Sequence, residues 1–258
     1  SAYSDFSPQI GKIARDFFDK KWIDAEPREG KASGAFAHPT VPSAHPYILM
    51  SYYGKARNVM TLAHELGHGV HQVLSAGQGA LMADTPLTLA ETASVFGEQL
   101  AFRELLKREK DEGRKKILIA GKVEDMLNTV VRQGAFCDFE TRLHDARREG
   151  EVSPEKIGQI WQKVQKESLG PVFKFGKGYA NYWSYIPHFV HTPFYVYAYA
   201  FGDMLVNALY GVYLKGMPGF MEKYIEMLKA GGTLHHRELL EPFGLDASKP
   251  DFWQTGVD

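Results

Sequence analysis

Apolar side chains along this sequence recur at every third or fourth position, which is the spacing of one buried face of an α-helix. Such stripes predict a helix near the N-terminus over residues 10–22 and another over about 57–74. Further helices are expected from Pro86 to about 110, over 114–148, from Pro154 (capped by Ser153) to near Gly170, and from Pro193 to about 214, before two shorter ones. The pattern therefore predicts a mainly α, multi-helix fold.

One segment has the composition of a strand instead. Residues 47–53 form a short run rich in Tyr, Ile and Leu, which is typical of β-structure. Residues 24–46 are rich in Gly, Pro, Ala and His and are expected to form a loop. No internal repeat or low-complexity linker divides the chain, so we expect one domain over residues 1–258 with a small β element.

The composition excludes several classes of protein. The 258 residues carry a net charge of −1, which argues against a nucleic-acid partner. No apolar run approaches the ~20 residues that span a bilayer, and the N-terminus has no signal-peptide pattern, so no membrane association is expected. The single cysteine, Cys137, allows no internal disulfide and favours a reducing compartment, the cytoplasm. The chain also lacks a starting Met, which fits processing or excision from a longer protein.

Residues 64–68, His-Glu-Leu-Gly-His, are the strongest chemical signal. On a helix His64 and His68 lie one above the other on the same face and can reach one metal ion. Glu65 is rotated about 100° away, where it can contact a water molecule held by that ion. The alternative is a pair of surface or hydrogen-bonded core histidines, but the small and apolar flanking residues favour a buried helix. The motif predicts one bound zinc ion.

A zinc hydrolase needs a third protein ligand, and His71, Glu91 and Glu98 are the candidates. His71 follows His68 on the same helix, which would crowd one side of the ion, so we interpret it as a hydrogen-bonded structural histidine. Glu91 and Glu98 are seven residues apart in an otherwise apolar segment, where a carboxylate is costly unless it meets a cation. We predict Glu91 as the ligand and Glu98 as acceptor of a bond from a ligand histidine. Two solvent-facing carboxylates are the alternative.

A segment rich in tyrosine and histidine covers residues 183–199. Tyr195 and Tyr199 are four apart and are expected to share a helical face, and His188 precedes them by one short loop. Phenol and imidazole groups are suitable donors to the oxyanion formed during peptide hydrolysis. Packing in a helical core is the alternative for each tyrosine.

With these residues the chain resembles the oligoendopeptidase F branch of the thimet-oligopeptidase-type zinc peptidases. The matching segments are GKASGAF (30–36), TLAHELGH (61–68), ETASVFGE (91–98), PHF (187–189), PFYVYAYA (193–200) with Gly202, GLD (244–246) and DFW (251–253). The resemblance implies a zincin-like catalytic domain with the β element beside the active-site helix. It assigns His188, Tyr195 and Tyr199 to the transition state and His191 to a substrate contact.

Members of this family also carry a long helical N-terminal half, and the two halves enclose a channel that admits short peptides. The resemblance implies that this chain is the catalytic C-terminal half and that the missing half is its partner. The expected reaction is cleavage of internal bonds in short peptides by a zinc-activated water, with Glu65 as general base. Strand 47–53 is expected to bind the peptide backbone by β-addition. The alternatives are an impaired zinc- and peptide-binding fragment and a zinc exopeptidase, for which Lys55 and Arg57 are available cations.

Overall fold

The computed structural model describes residues 2–31 and 34–257, and most of these residues are helical. The α-helices within the described ranges are α1 (Ala2–Phe6), α2 (Pro8–Asp19), α3 (Ala56–Ser75), α4 (Leu87–Ala90), α5 (Thr92–Arg108), α6 (Glu112–Leu127), α7 (Gln133–Arg148), α8 (Pro154–Leu169), α9 (His188–His191), α10 (Tyr197–Leu214), α11 (Phe220–Lys229), α12 (His236–Leu240) and α13 (Pro250–Val257). Short 3-10 segments cover Ala76–Gln78, Lys177–Tyr185 and Glu241–Phe243. The mainly α fold class is confirmed.

Three short strands form a sheet beside α3. They are β1 (Ile23–Asp24), β2 (Phe36–His38) and β3 (Tyr47–Leu49), in the order β1-β3-β2. β3 pairs in parallel with β1 and antiparallel with β2, and both β2 and β3 contact α3. The predicted strand over 47–53 is therefore shorter than expected, and the predicted loop over 24–46 contains β2. Ala32 and Ser33 of the 30–36 segment lie outside the described residues.

The position of β3 in the middle of the sheet contradicts the expected binding of a peptide along it. On one side Ile48 N–H donates to the Trp22 carbonyl and Met50 N–H to the Asp24 carbonyl, both at 2.9 Å. On the other side Ile48 lies opposite Ala37 of β2. Because both edges of β3 are already paired, β-addition along Tyr47–Leu49 is excluded, and the prediction is wrong for these residues.

The chain divides into two compact units. The first unit contains Ser1–Leu118 and Met204–Asp258, and the second contains Ile119–Asp203. The division is one of contacts within the chain. That residues 1–258 act as one catalytic domain stays a prediction. Among the described residues, no helix is long and apolar enough to cross a membrane.

The first unit is built around the packing of α3 on α5. A buried cluster on the core-facing side of α3 joins α2 and the sheet to this helix. It contains Phe17, Ile48 and Leu66. Phe17 packs directly on the backbone of α3, because the glycine at 69 leaves space for its ring. Burial of large apolar side chains on this face stabilises α3 by about 2 kcal/mol each and leaves its opposite face for polar residues.

The second unit has a separate core between α7 and α8. Phe136, Phe139 and Trp161 are buried there in contact with one another. α8 begins as predicted, since Ser153 Oγ accepts the Lys156 N–H at 3.3 Å. It ends at Gly170, whose φ of 72° lies in the left-handed region that glycine adopts freely.

Several predicted helices differ from the observed ones, and the helix expected over 10–22 ends at Asp19. The helix expected from Pro86 is divided into α4 and α5 at Glu91, whose ψ of −1° interrupts the helical path. The charged helix over 114–148 is interrupted by a π-helical segment, Asn128–Arg132. The helix expected from Pro193 begins at Tyr197 instead, because Phe194 has a φ of 60° and cannot continue a right-handed helix. Tyr195 therefore lies outside α10, and the argument that it shares a helical face with Tyr199 fails.

Candidate active site

The helix that carries the histidines starts and stops on local signals. Asn58 Oδ1 accepts the backbone N–H groups of Lys55 and Tyr53 at 3.2 and 3.0 Å, which satisfies free donors at the start of α3. Buried small and apolar residues, among them Leu66 and Val70, occupy the core-facing side. His64 and His68 lie on the partly exposed side of the same helix.

Three side chains converge at one point above α3. The Nε2 atoms of His64 and His68 are 3.1 Å apart, and each is 3.3 Å from Glu91 Oε2. Among the described residues this is the group of ligand atoms that can hold a metal ion. Tetrahedral zinc with bonds of about 2.0–2.1 Å would place its ligand atoms about 3.3 Å from one another. Two imidazoles and a carboxylate at this spacing fit zinc both in chemistry and in geometry.

A carboxylate on α5 orients the first histidine. Glu98 Oε1 accepts the Nδ1–H of His64 at 2.6 Å, which leaves the Nε2 lone pair of His64 directed at the convergence point. Glu91 is held in turn by Ser94, whose hydroxyl donates to Glu91 Oε2 at 2.6 Å. Glu91 and Glu98 thus both lie beside the histidine pair, and their roles as ligand and orienting residue stay predictions.

The electrostatics of this group favour cation binding. Burial raises the pKa of Glu91, but the hydrogen bond with His68 and the charges of both histidines outweigh burial and lower its pKa to about 2. Burial lowers the pKa of His64, whereas the hydrogen bond to Glu98 and the charge of Glu91 raise it, and the net pKa lies above the ordinary value. Glu91 therefore stays ionised and attracts positive charge to the histidine pair.

Glu65 lies on the side of α3 that faces the sheet. Its side chain is buried, and burial raises its pKa, partly opposed by the charges of His64 and His68. The backbone N–H of Ala37 in β2 is directed at the Glu65 carboxylate and is the smallest of the influences that lower its pKa. A carboxylate with a raised pKa is suited to accept a proton near neutral pH and then release it. β2 therefore contributes a contact to the site that the sequence did not reveal.

A second feature that the sequence analysis missed is the role of Gly67. A Cβ atom at this position would overlap the Ala93 carbonyl oxygen and lie 2.6 Å from Ser94 Cα. The absence of a side chain lets α5 approach α3 closely enough for Glu91 to reach the histidines. The signal that could have indicated this contact was a glycine in the interior of a predicted helix, where it is otherwise unfavourable.

His71 is separate from the ligand group. It is buried, and its Nε2 lies 3.2 Å from Thr85 Oγ1, which fits the predicted structural role. Burial, followed by the charge of His68, lowers its pKa from 6.5 to about 4. The folded protein therefore holds His71 neutral at a pH where the unfolded chain would protonate it.

This difference predicts a stability change with pH. Because the folded pKa of His71 lies below the unfolded one, its contribution is fully present above about pH 6.5 and is lost as pH falls towards 4. The expected loss in the free energy of unfolding is about 3 kcal/mol. Urea unfolding in the presence of a chelator should show a smaller loss over this range in His71→Gln than in the parent chain. Equal pH slopes for the two proteins would contradict the assignment.

The tyrosine and histidine side chains predicted to act on the substrate form a cluster in the second unit. The rings of His188 and Tyr195 stack with centroids 5.4 Å apart, and Tyr199 Oη lies 3.4 Å from His188 Nε2. Tyr195 and Tyr199 also contact each other, with ring centroids 5.2 Å apart. His191 lies exposed at the C-terminal end of α9. The cluster offers neighbouring phenol and imidazole donors.

A helix carrying His-Glu-x-x-His, packed against a second helix that begins directly after a glutamate near the histidines, is typical of a mainly α class of metallopeptidases. Within that class the chain belongs to peptidase family M3, whose family model matches residues 7–258. The oligopeptidase PepF of Bacillus subtilis (strain 168) is 31% identical to it over 245 residues. An oligoendopeptidase F homologue of Borreliella burgdorferi is 33% identical over 242 residues. The matched family is one of peptidases, and these two relatives carry the names of an oligopeptidase and an oligoendopeptidase.

A solved structure shows the same architecture. Oligoendopeptidase-F from Enterococcus faecium is 28% identical, with a TM-score of 0.65, over 77% of this chain and 36% of that chain. The Bacillus alignment covers 94% of this chain and 36% of the relative, and the Borreliella alignment covers 92% and 41%. The chain thus spans well under half the length of these relatives.

Proposed function

We propose that this chain is the catalytic part of a zinc-dependent endopeptidase that hydrolyses internal bonds of short peptides. The observation that carries the proposal is the convergence of His64, His68 and Glu91 at mutual distances of 3.1–3.3 Å. Glu65 on the same helical turn supplies the acid–base group. Membership of peptidase family M3 supports the choice of a peptide bond as the bond that is cleaved.

The residues of the chain divide the chemistry among them. A zinc ion held by His64, His68 and Glu91 supplies Lewis acidity when it is bound. Glu65 accepts the proton of the attacking water and later delivers it to the nitrogen of the leaving amine. Burial restricts the movement of the Glu65 side chain during both transfers. Glu98 keeps the proton of His64 on Nδ1.

The proposal assigns charge stabilisation on the substrate oxygen to neutral donors. His188, Tyr195 and Tyr199 are the candidates, supported by their clustering within the second unit and by the family resemblance. Such donors typically contribute a factor of about 10²–10³ to kcat. His191 is retained as a candidate substrate contact because its side chain is exposed.

A second candidate function follows from the length of the chain. Since it spans 36–41% of the two relatives, the protein in which it acts would include a further segment, proposed to be an N-terminal half that restricts access to short peptides. Without that segment the chain would bind zinc and peptide but turn over slowly.

The single Cys137 supports a reducing, cytoplasmic location as part of the same proposal.

The proposal is tested with end-blocked, internally quenched short peptides. The zinc-loaded chain is expected to cleave them at internal bonds, to lose activity with a chelator and to regain it with added zinc. Mass spectrometry of the products identifies the bond that is cut. Products from internal positions support an endopeptidase, removal of terminal residues from unblocked peptides alone would indicate an exopeptidase, and zinc binding without cleavage would favour the binding fragment.

A further inference from the structure

Glu140 is a buried carboxylate outside the metal site, and the proposed reaction gives it no role. Glu140 of α7 is 1% exposed and lies within the second unit. Its Oε1 accepts the backbone N–H of Phe194 at 2.8 Å, and its Oε2 is buried without a hydrogen-bond partner in the described part of the chain. Burying a carboxylate is unfavourable, so its presence here calls for a compensating role.

The residue that Glu140 holds has an unusual backbone conformation. Phe194 has a φ of 60°, in the left-handed region that is unfavourable for a residue with a bulky side chain. Such a conformation persists when surrounding contacts fix it. The hydrogen bond from its N–H to Glu140 is one such contact, and the packing of its ring on His144, with centroids 4.7 Å apart, is a second.

This turn determines where the next residue lies. Tyr195 N–H donates to the Thr192 carbonyl at 3.2 Å across the turn, and α10 begins two residues later. The reversal of the chain at Phe194 brings the Tyr195 ring onto His188, at 5.4 Å between centroids and 22° between planes. Without the left-handed residue, Tyr195 would leave the turn in another direction and the stack would be lost.

We propose that Glu140 is a positioning residue, which holds the left-handed turn at Phe194 and thereby places Tyr195 against His188 and Tyr199. This inference rests on the proposed function, because Tyr195, His188 and Tyr199 affect catalysis only if the chain hydrolyses peptides. The carboxylate itself contacts the turn and not the substrate. Its effect on the reaction therefore passes through the placement of the donors, where a displacement of about 1 Å can cost a factor of 10² in rate.

The test compares Glu140→Ala with Glu140→Gln in the zinc-loaded chain. The alanine variant removes the acceptor of the Phe194 N–H, and kcat for a blocked peptide is expected to fall by about 10- to 100-fold with KM within about twofold and zinc content unchanged. The glutamine variant keeps an amide oxygen as acceptor, and its kcat is expected to stay within about threefold of the parent chain.

Two double variants separate positioning from general damage. In a His188→Ala background, Glu140→Ala should have little further effect on kcat, because residues that act through one another are not additive. Combining Glu140→Ala with Phe194→Gly should recover part of the lost kcat, since glycine adopts a positive φ without strain. A full loss from Glu140→Ala in the His188→Ala background would overturn the proposal.

Amide hydrogen exchange supplies a readout that does not need activity. The Phe194 amide is expected to exchange at least 10-fold faster in Glu140→Ala than in the parent chain, and at a near-parental rate in Glu140→Gln. Gln165→Ala is the matched control, because Gln165 is equally buried in the second unit but bonds Tyr179 instead of the turn. It should lower the melting temperature without faster exchange at Phe194 or loss of kcat.

The two readouts distinguish failure of this inference from failure of the proposed function. If the parent chain cleaves no peptide, the proposed function fails, and the exchange rate of the Phe194 amide still decides whether Glu140 holds the turn. Unchanged exchange in a folded Glu140→Ala variant would overturn the inference whatever the activity. Faster exchange together with unchanged kcat would also overturn it, because the turn would then have no effect on the reaction.

Discussion

Replacing Glu65 by glutamine is expected to lower kcat for an end-blocked peptide by a factor of about 10²–10⁴, because glutamine cannot accept a proton from water. Glutamine has nearly the same size and shape as glutamate, so the side chain should keep the buried place of Glu65. Zinc content should be unchanged, since Glu65 is outside the group of three converging ligand atoms. Steady-state kinetics and metal analysis of the same preparation measure both quantities.

The control for this variant is Glu112→Gln, which removes an exposed carboxylate at the start of α6 in the same unit. Its kcat should match that of the parent chain. Such a result would show that the loss of one negative charge elsewhere in the unit does not lower kcat. A Glu65→Gln variant that binds zinc and keeps kcat within tenfold of the parent value would show that another group moves the proton. Loss of zinc from the variant would instead place Glu65 among the ligands.

The second large effect is expected from Gly67→Ala, a change of one methyl group between the two histidines. The added carbon would overlap the Ala93 carbonyl and contact Ser94 Cα at 2.6 Å, so α5 must move away from α3. Overpacking of this kind typically costs about 1–3 kcal/mol in the free energy of unfolding. Because Glu91 precedes α5 directly, the shift also withdraws it from the histidines, and zinc affinity should fall at least ~10-fold.

Gly77→Ala is the matched control, because a Cβ atom there would have no neighbour within 4 Å. Zinc affinity, measured by competition with a coloured chelator, should be lowered in Gly67→Ala and unchanged in Gly77→Ala. Urea unfolding of both variants separates the stability cost from the loss of metal. Parental zinc affinity in a folded Gly67→Ala variant would mean that α5 is not held at its position by contact with Gly67.

Parts of the fold that depend on neighbours along the chain could be predicted from the sequence. The motif helix was expected over 57–74 and extends over Ala56–Ser75, since its apolar stripe and its stop signal are local. The start of α8 at Ser153 and its end at Gly170 followed from capping rules. The convergence of the two histidines likewise follows from their spacing on one helix.

Other parts depend on contacts between distant segments, and sequence patterns missed them. β2 has no strong alternating pattern and is ordered by pairing with β3, so its segment was expected to be a loop. β3 was expected to be free to bind a peptide, but β1 and β2 occupy its two edges. The left-handed turn at Phe194 is held by Glu140, 54 residues earlier in the chain, and helix periodicity cannot reveal such a bond.

By itself the sequence determined which chemical groups are available and which of them share a helix, because helical geometry fixes the relation of residues three or four positions apart. It therefore determined that His64 and His68 share one face of a helix, with Glu65 on the same turn. The apolar surroundings of Glu91 indicated that its carboxylate meets a cation. The tertiary structure alone decided how closely α5 approaches α3 at Gly67 and that Glu65 is buried beside Ala37 of β2. These contacts join segments that are far apart in the chain. Close packing and buried hydrogen bonds between such segments select one arrangement, and no local sequence pattern indicates them.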